Sequence, residues 1–143
     1  MTALRVPCRS LVVDPTPEVT LVRRGLEAFV AGEVDDSLAT AAEEVVAVRN
    51  PPLPDAGVYA GRAGVLQMWR EWAAEFGALE MEIRQIVWVR RGRVIAEVTQ
   101  RGVGRLSGAE VVGQFWLLFT IEDGLVVKLD AFASETDALE ATL

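Results

Sequence analysis

Histidine is absent from this 143-residue chain, and cysteine occurs once, as Cys8. Those two counts remove most of the familiar apparatus of catalysis. No Ser-His or Cys-His nucleophile can be assembled, and no imidazole serves as general base or metal ligand. One thiol makes neither an internal disulfide nor a cysteine-based zinc site. Chemistry has to rest on carboxylates, Tyr, Arg, Lys or bound water. Two places carry such groups at useful spacing. Glu97, Thr99 and Arg101 alternate along an extended run and so share one strand face. Asp130, within Leu129-Asp130-Ala131-Phe132, is an acid in an apolar strand. Enclosed by apolar walls, its carboxylate would have a raised pKa, which suits a general base near neutrality.

Each of these has a plainer alternative. Glu97 and Arg101 can equally form a cross-strand ion pair on a solvated face. In simple alternation Asp130 shares a face with Lys128, opposite Leu129, Ala131 and Ala133, and a bulge would be needed to re-aim it. Other patterns are weaker still. Arg90-Arg91-Gly92-Arg93 reads as a solvated hairpin tip, and Gly102-Val103-Gly104 lies in a strand with no helix after it, so it is no dinucleotide fingerprint. The acid pairs Glu43-Glu44 and Glu80/Glu82 have no metal-ligand partners, and neither a cofactor nor a metal is expected.

Charge and composition narrow the partners. Fourteen Lys and Arg against 21 Asp and Glu give a net charge of −7, which repels phosphate backbones and anionic lipid. Nucleic acid and membrane are therefore not expected partners. The chain is 51% hydrophobic and 24% charged, an ordinary globular composition for one domain. Residues 1–14 hold two arginines and only the short apolar piece Leu11-Val12-Val13, unlike a signal peptide, so a cytoplasmic location is expected. No stretch approaches the roughly 18 apolar residues of a membrane span.

The elements that must position these groups follow from periodicity. Residues 1–15 read as an arm, with Cys8 a lone thiol in it, and 16–143 as one domain. Thr16-Pro17-Glu18 predicts a helix start, with Thr16 as cap, and Val19, Val22, Leu26, Phe29 and Val30 form its apolar face up to Gly32. A second short helix is predicted from Asp35 or Asp36 to about Ala42, followed by a strand over 45–48. Asn50-Pro51-Pro52-Leu53-Pro54-Asp55 is a rigid loop. A third helix follows Gly61, with Val65, Trp69, Trp72, Ala73 and Phe76 on one face and Gly77 ending it. Four strands then alternate with short Gly-containing turns, over 81–89, 94–105, 110–121 and 125–133. Ser134, with Asp137 three residues on, caps a last helix. Helices segregated from an antiparallel meander make the class α+β. A strongly curved sheet wrapped around the helices would leave an apolar pocket inside a cone.

Three segments carry a family resemblance. Val22 to Gly32 (VRRGLEAFVAG), Val58-Tyr59-Ala60-Gly61-Arg62-Ala63-Gly64-Val65, and Asp123-Gly124-Leu125-Val126-Val127 through Ala138-Leu139 resemble the SnoaL-like branch of the nuclear-transport-factor-2-like superfamily. The resemblance runs over nearly all of 16–143. It implies a conical α+β barrel, a homodimer through the outer sheet face, and a pocket inside the cone. Members include polyketide cyclases, ketosteroid isomerases and limonene-epoxide hydrolases as well as binding proteins, so the pocket residues must decide function.

Carried onto this sequence, the family patterns are only partly met. The isomerase base falls on Asn50, an amide that cannot take a proton, and its second acid falls near Leu117. The epoxide-hydrolase set maps Asp130 and Arg101 but meets Val103 where an acid belongs, with Glu97 as the nearest substitute. The cyclase base maps to Asp130. The expected site is thus Asp130 as base, Arg101 or Tyr59 stabilising charge, and Trp69, Gln114, Trp116, Asn50 and Glu97 as ligand contacts. Two functions remain open: a cofactor-independent cyclase, isomerase or epoxide hydrolase for a hydrophobic, oxygenated molecule of polyketide, terpenoid or steroid type, or a binding module with the same pocket. The strand Val111 to Ile121 is apolar on both faces, which also predicts a homodimer covering the outer one.

Overall fold

A computed structural model describes residues 14–53 and 56–143. The arm expected over 1–15, with Cys8, lies outside the described residues except for its last two positions. The elements are α1 (Thr16–Val30), α2 (Val34–Leu38), β1 (Ala41–Arg49), β2 (Gly57–Ala60), α3 (Gly61–Ala74), β3 (Phe76–Arg90), β4 (Arg93–Gly104), β5 (Glu110–Glu122), β6 (Leu125–Phe132) and α4 (Glu135–Glu140). They build one six-stranded sheet in the order β2-β1-β6-β5-β4-β3. Its neighbours are antiparallel except β1 and β6, which run parallel. The sheet curls around α1, α2 and α3 on one face, giving the expected α+β cone, and α4 lies on the other.

Local chemistry explains most boundaries. Helix α1 starts at Thr16, yet Thr16 is not its cap. Pro15 holds that position, and the Asp14 carboxylate accepts the Thr16 backbone N–H at 2.9 Å. That hydrogen bond holds the Asp14 carboxyl below its ordinary range. At the other end Gly32 takes φ +82°, the left-handed conformation that stops the helix. Ser134 caps α4 as its sequence suggests, its Oγ accepting the Asp137 N–H at 3.2 Å.

Three boundaries differ from expectation, each because a pairing partner captures residues that are locally ambiguous. The second helix ends at Leu38, since Ala41 and Ala42 already belong to β1, where Ala41 lies opposite Val126. Phe76 and Gly77 do not end the third helix. They open β3, with Phe76 opposite Gly104. Arg105 pins that junction, donating to Ala74 O at 3.1 Å and Phe76 O at 2.9 Å. Strand β2, four residues long, has too short a pattern to be read from sequence and exists by pairing with β1.

The core lies between α1 and the concave face. Leu21, Val22 and Leu26 pack on Val45, Val94, Ala96, Phe119, Ile121 and Val126. The end of α1 is tied to the β3–β4 turn by Glu18. Its carboxylate accepts the Gly92 N–H at 2.9 and 3.0 Å and the Trp88 indole N–H at 2.8 Å. Gly92 has φ +75°, and a Cβ there would sit 2.8 Å from Ile121 O, so no larger residue fits. On the convex face α4 lays Ala138 over Ile95, Leu118 and Phe132. No helix among the described residues is long and apolar enough to cross a membrane.

Candidate functional site

Strand alternation and helix periodicity aim a set of large apolar side chains into the cone. Helix α1 contributes Leu26 and Phe29, α3 contributes Trp69 and Trp72, and β5 contributes Phe115 and Leu117. Phe29 and Trp69 meet edge to face with centroids 4.3 Å apart, and Trp72 does the same with Phe115 at 5.9 Å. Apart from the two tryptophans, four of the described lining residues have polar side chains: Ser37, Thr40, Arg49 and Gln100. Among the described residues, no carboxylate or tyrosine hydroxyl belongs to that lining.

Two of the four are committed to the backbone. Ser37 Oγ donates to Gly25 O at 2.7 Å and Thr40 Oγ1 to Ser37 O at 2.7 Å. Gln100 is 2% exposed, and its Oε1 accepts the Trp72 indole N–H at 2.7 Å. An indole N–H can only donate, so this contact fixes which end of the amide is oxygen and leaves the NH₂ group as the free end. Arg49, 7% exposed, lies with its guanidinium carbon 5.0 Å from the Trp72 ring centroid and 5.9 Å from that of Tyr59, within cation–π range. Arg49 and Trp72 also line a second pocket with Tyr59, Glu71 and Glu75. Arg49 thus stands where an apolar cavity meets a charged recess.

The expected site residues are dispersed. Trp69 lines the cavity. Tyr59 belongs to the charged recess, its hydroxyl 3.5 Å from Glu71 Oε2. Alternation along β4 sends Val98 and Gln100 inward and Glu97, Thr99 and Arg101 to the convex face. There Arg101 pairs with Glu110 at 3.3 Å, both more than half exposed, while Glu97 accepts from Gln85 at 2.8 Å and from Gln114. On β5 the inward set is Phe115, Leu117 and Phe119. Gln114 and Trp116 therefore face outward, and the buried Trp116 Nε1 has no partner among the described residues.

Asp130 turns on a bulge. Thr120 lies opposite Lys128 and Ile121 opposite Val126, so Val127 is an extra residue in β6. The bulge brings Leu129 and Ala131 into the cavity lining together with Val126, and leaves Lys128 and Asp130 on the other face. Asp130 is 7% exposed, 3.5 Å from Lys128 Nζ, and accepts from Asn50 Nδ2 at 3.3 Å. Asn50 also donates to Ala131 O at 3.1 Å, tying the loop after β1 to β6. Asp130, Arg101 and Tyr59 are not brought together around the cavity.

Sequence reasoning missed Gln100 and Arg49 and placed Trp72 only on a helix face. A signal existed for two of them. Val94, Ala96, Val98 and Gln100 occupy one face of β4, and Val45, Ala47 and Arg49 one face of β1, so each polar residue breaks an apolar alternation. Trp72 carried none beyond its helical spacing.

A family model described as a SnoaL-like domain matches residues 22–129. Among solved structures, TerC co-crystallised with polyporic acid is 16% identical and superposes with a TM-score of 0.72, covering 87% of this chain and 96% of that one. An NTF2-like protein of unknown function from Burkholderia pseudomallei K96243 is 17% identical with a TM-score of 0.72, covering 87% of this chain and 95% of that one. A protein from Jannaschia sp. CCS1 assigned as a SnoaL-like polyketide cyclase is 19% identical with a TM-score of 0.71, covering 91% and 95%. At these identities the likeness is one of fold. No curated protein sequence matches this chain.

Proposed function

This chain belongs to the SnoaL-like domain family, and from that premise we propose that it holds an apolar small molecule inside its cone and does not use a side-chain general base. The observation that carries this reading is the composition of the cavity wall. Among the described residues, aromatic and aliphatic side chains surround a few polar ones, Gln100 and Arg49 among them, and none of the lining residues is Asp, Glu or Tyr. Such a wall binds by burying apolar surface and orients its ligand through a few polar points. A carboxylate-dependent cyclase, isomerase or epoxide hydrolase would need Asp130 at the substrate, and its carboxylate engages Lys128 and Asn50 on the opposite face. The polyporic acid held by TerC supports a small oxygenated molecule as the class of occupant.

Homodimerisation through the convex sheet face and a cytoplasmic location belong to the same proposal. Helix α4 covers Leu118 and Phe132 on that face, whereas Val112 at its other end is 60% exposed beside Gln114.

Titration with N-phenyl-1-naphthylamine, a neutral apolar probe that fluoresces when buried, tests the binding reading. Saturable enhancement is expected. Trp69→Ala, which removes one aromatic wall, should weaken binding about fivefold or more. Absence of saturable binding, or indifference to Trp69→Ala, overturns it.

A further inference from the structure

Resting on that reading, we infer that Gln100 selects the occupant, and that the ligand class is apolar molecules carrying a hydrogen-bond-accepting oxygen directed at β4. The indole N–H of Trp72 takes the acceptor end of the Gln100 amide at 2.7 Å, so the cavity is offered its donor end. Gln100 is 2% exposed and lines the cavity, and its one hydrogen bond to another side chain is the one its oxygen accepts from Trp72. With the oxygen taken by Trp72, the NH₂ is the end of the amide that a ligand oxygen in the cavity can engage. Ser37 and Thr40 have already given their hydroxyl protons to backbone carbonyls. Gln100 therefore reads an oxygen acceptor on the ligand, such as a ketone, an enolate or a carboxylate. Trp72 is a positioning residue in this scheme: it sets the amide orientation.

Two probes of nearly equal shape separate this from simple apolar burial. 2-Acetylnaphthalene carries C=O where 2-isopropenylnaphthalene carries C=CH₂. Each is measured by displacement of N-phenyl-1-naphthylamine from the full chain, wild type and Gln100→Leu. The ratio of the two affinities is the readout, because partition into an apolar site cancels between the two proteins. The expected result is a fall in the ketone's relative affinity of about five- to tenfold in Gln100→Leu. An unchanged ratio overturns the inference. Should Gln100→Leu fail to fold, the wild type decides through the infrared carbonyl band of bound 2-acetylnaphthalene. A shift to lower wavenumber than in alkane solvent supports donation by Gln100, and an alkane-like band overturns it. Failure of N-phenyl-1-naphthylamine itself to bind would instead sink the cavity reading, so the two failures are distinguishable.

Discussion

Trp72 on α3 and Gln100 on β4 are joined by a 2.7 Å hydrogen bond between the indole N–H and the amide oxygen, 28 residues apart in sequence. The bond couples the helix that roofs the cavity to the strand that floors it. The Trp72 ring also lies 5.0 Å from the Arg49 guanidinium carbon, so one tryptophan touches two of the polar side chains of the wall.

Trp72→Phe keeps an aromatic ring but removes the donor. Gln100 Oε1 is then left buried without a partner, and stability should fall by about 1–3 kcal/mol. The amide also becomes free to turn over, so selectivity for ketone over hydrocarbon should weaken. Urea unfolding and the paired-probe displacement check the two halves.

Asp130→Asn keeps the side chain's size and can still accept from Asn50, while removing the charge that faces Lys128. Because Lys128 is half exposed, the ion pair is screened, and the loss should stay below about 1 kcal/mol. Affinity for N-phenyl-1-naphthylamine should not change. A large loss of turnover in this variant, for any substrate found, would restore Asp130 to catalysis, since a general base contributes about 10²–10⁴-fold.

Glu18 holds two donors of the β3–β4 turn, the Gly92 N–H and the Trp88 indole. Glu18→Ala should cost about 2–4 kcal/mol, as two hydrogen bonds to a charged acceptor are lost at a part-buried site. Thermal unfolding measures it. Gly92→Ala should be destabilising at the same locus for a steric reason, the 2.8 Å approach to Ile121 O at φ +75°.

Dimerisation can be examined at the open end of the convex face. Val112→Arg places a long charge among exposed side chains of β5, so the monomer fold should tolerate it, with a stability change within about 0.5 kcal/mol. Light scattering after size exclusion should show a dimer for the wild type and a monomer for this variant. A monomeric wild type at micromolar concentration overturns the proposed association.

The class, the conical shape and most element positions were legible in the sequence. Helical spacing in α1 and α3 and the Gly-punctuated strands β3 to β6 are local patterns, and local patterns survive without tertiary context. Helical spacing put Trp69 and Trp72 on one face of α3, and the family resemblance singled out Trp69; both line the cavity. Only the tertiary structure decided the parallel β1–β6 pair and the short β2, because pairing between distant segments leaves no local mark. It also decided the site. Side chains in a strand change face with a shift of one residue, so the single extra residue Val127 determines whether Asp130 or its neighbours see the cavity. Gln100 and Arg101 are adjacent in sequence, and only the curl of the sheet makes one the cavity's donor and the other a solvated ion-pair partner of Glu110.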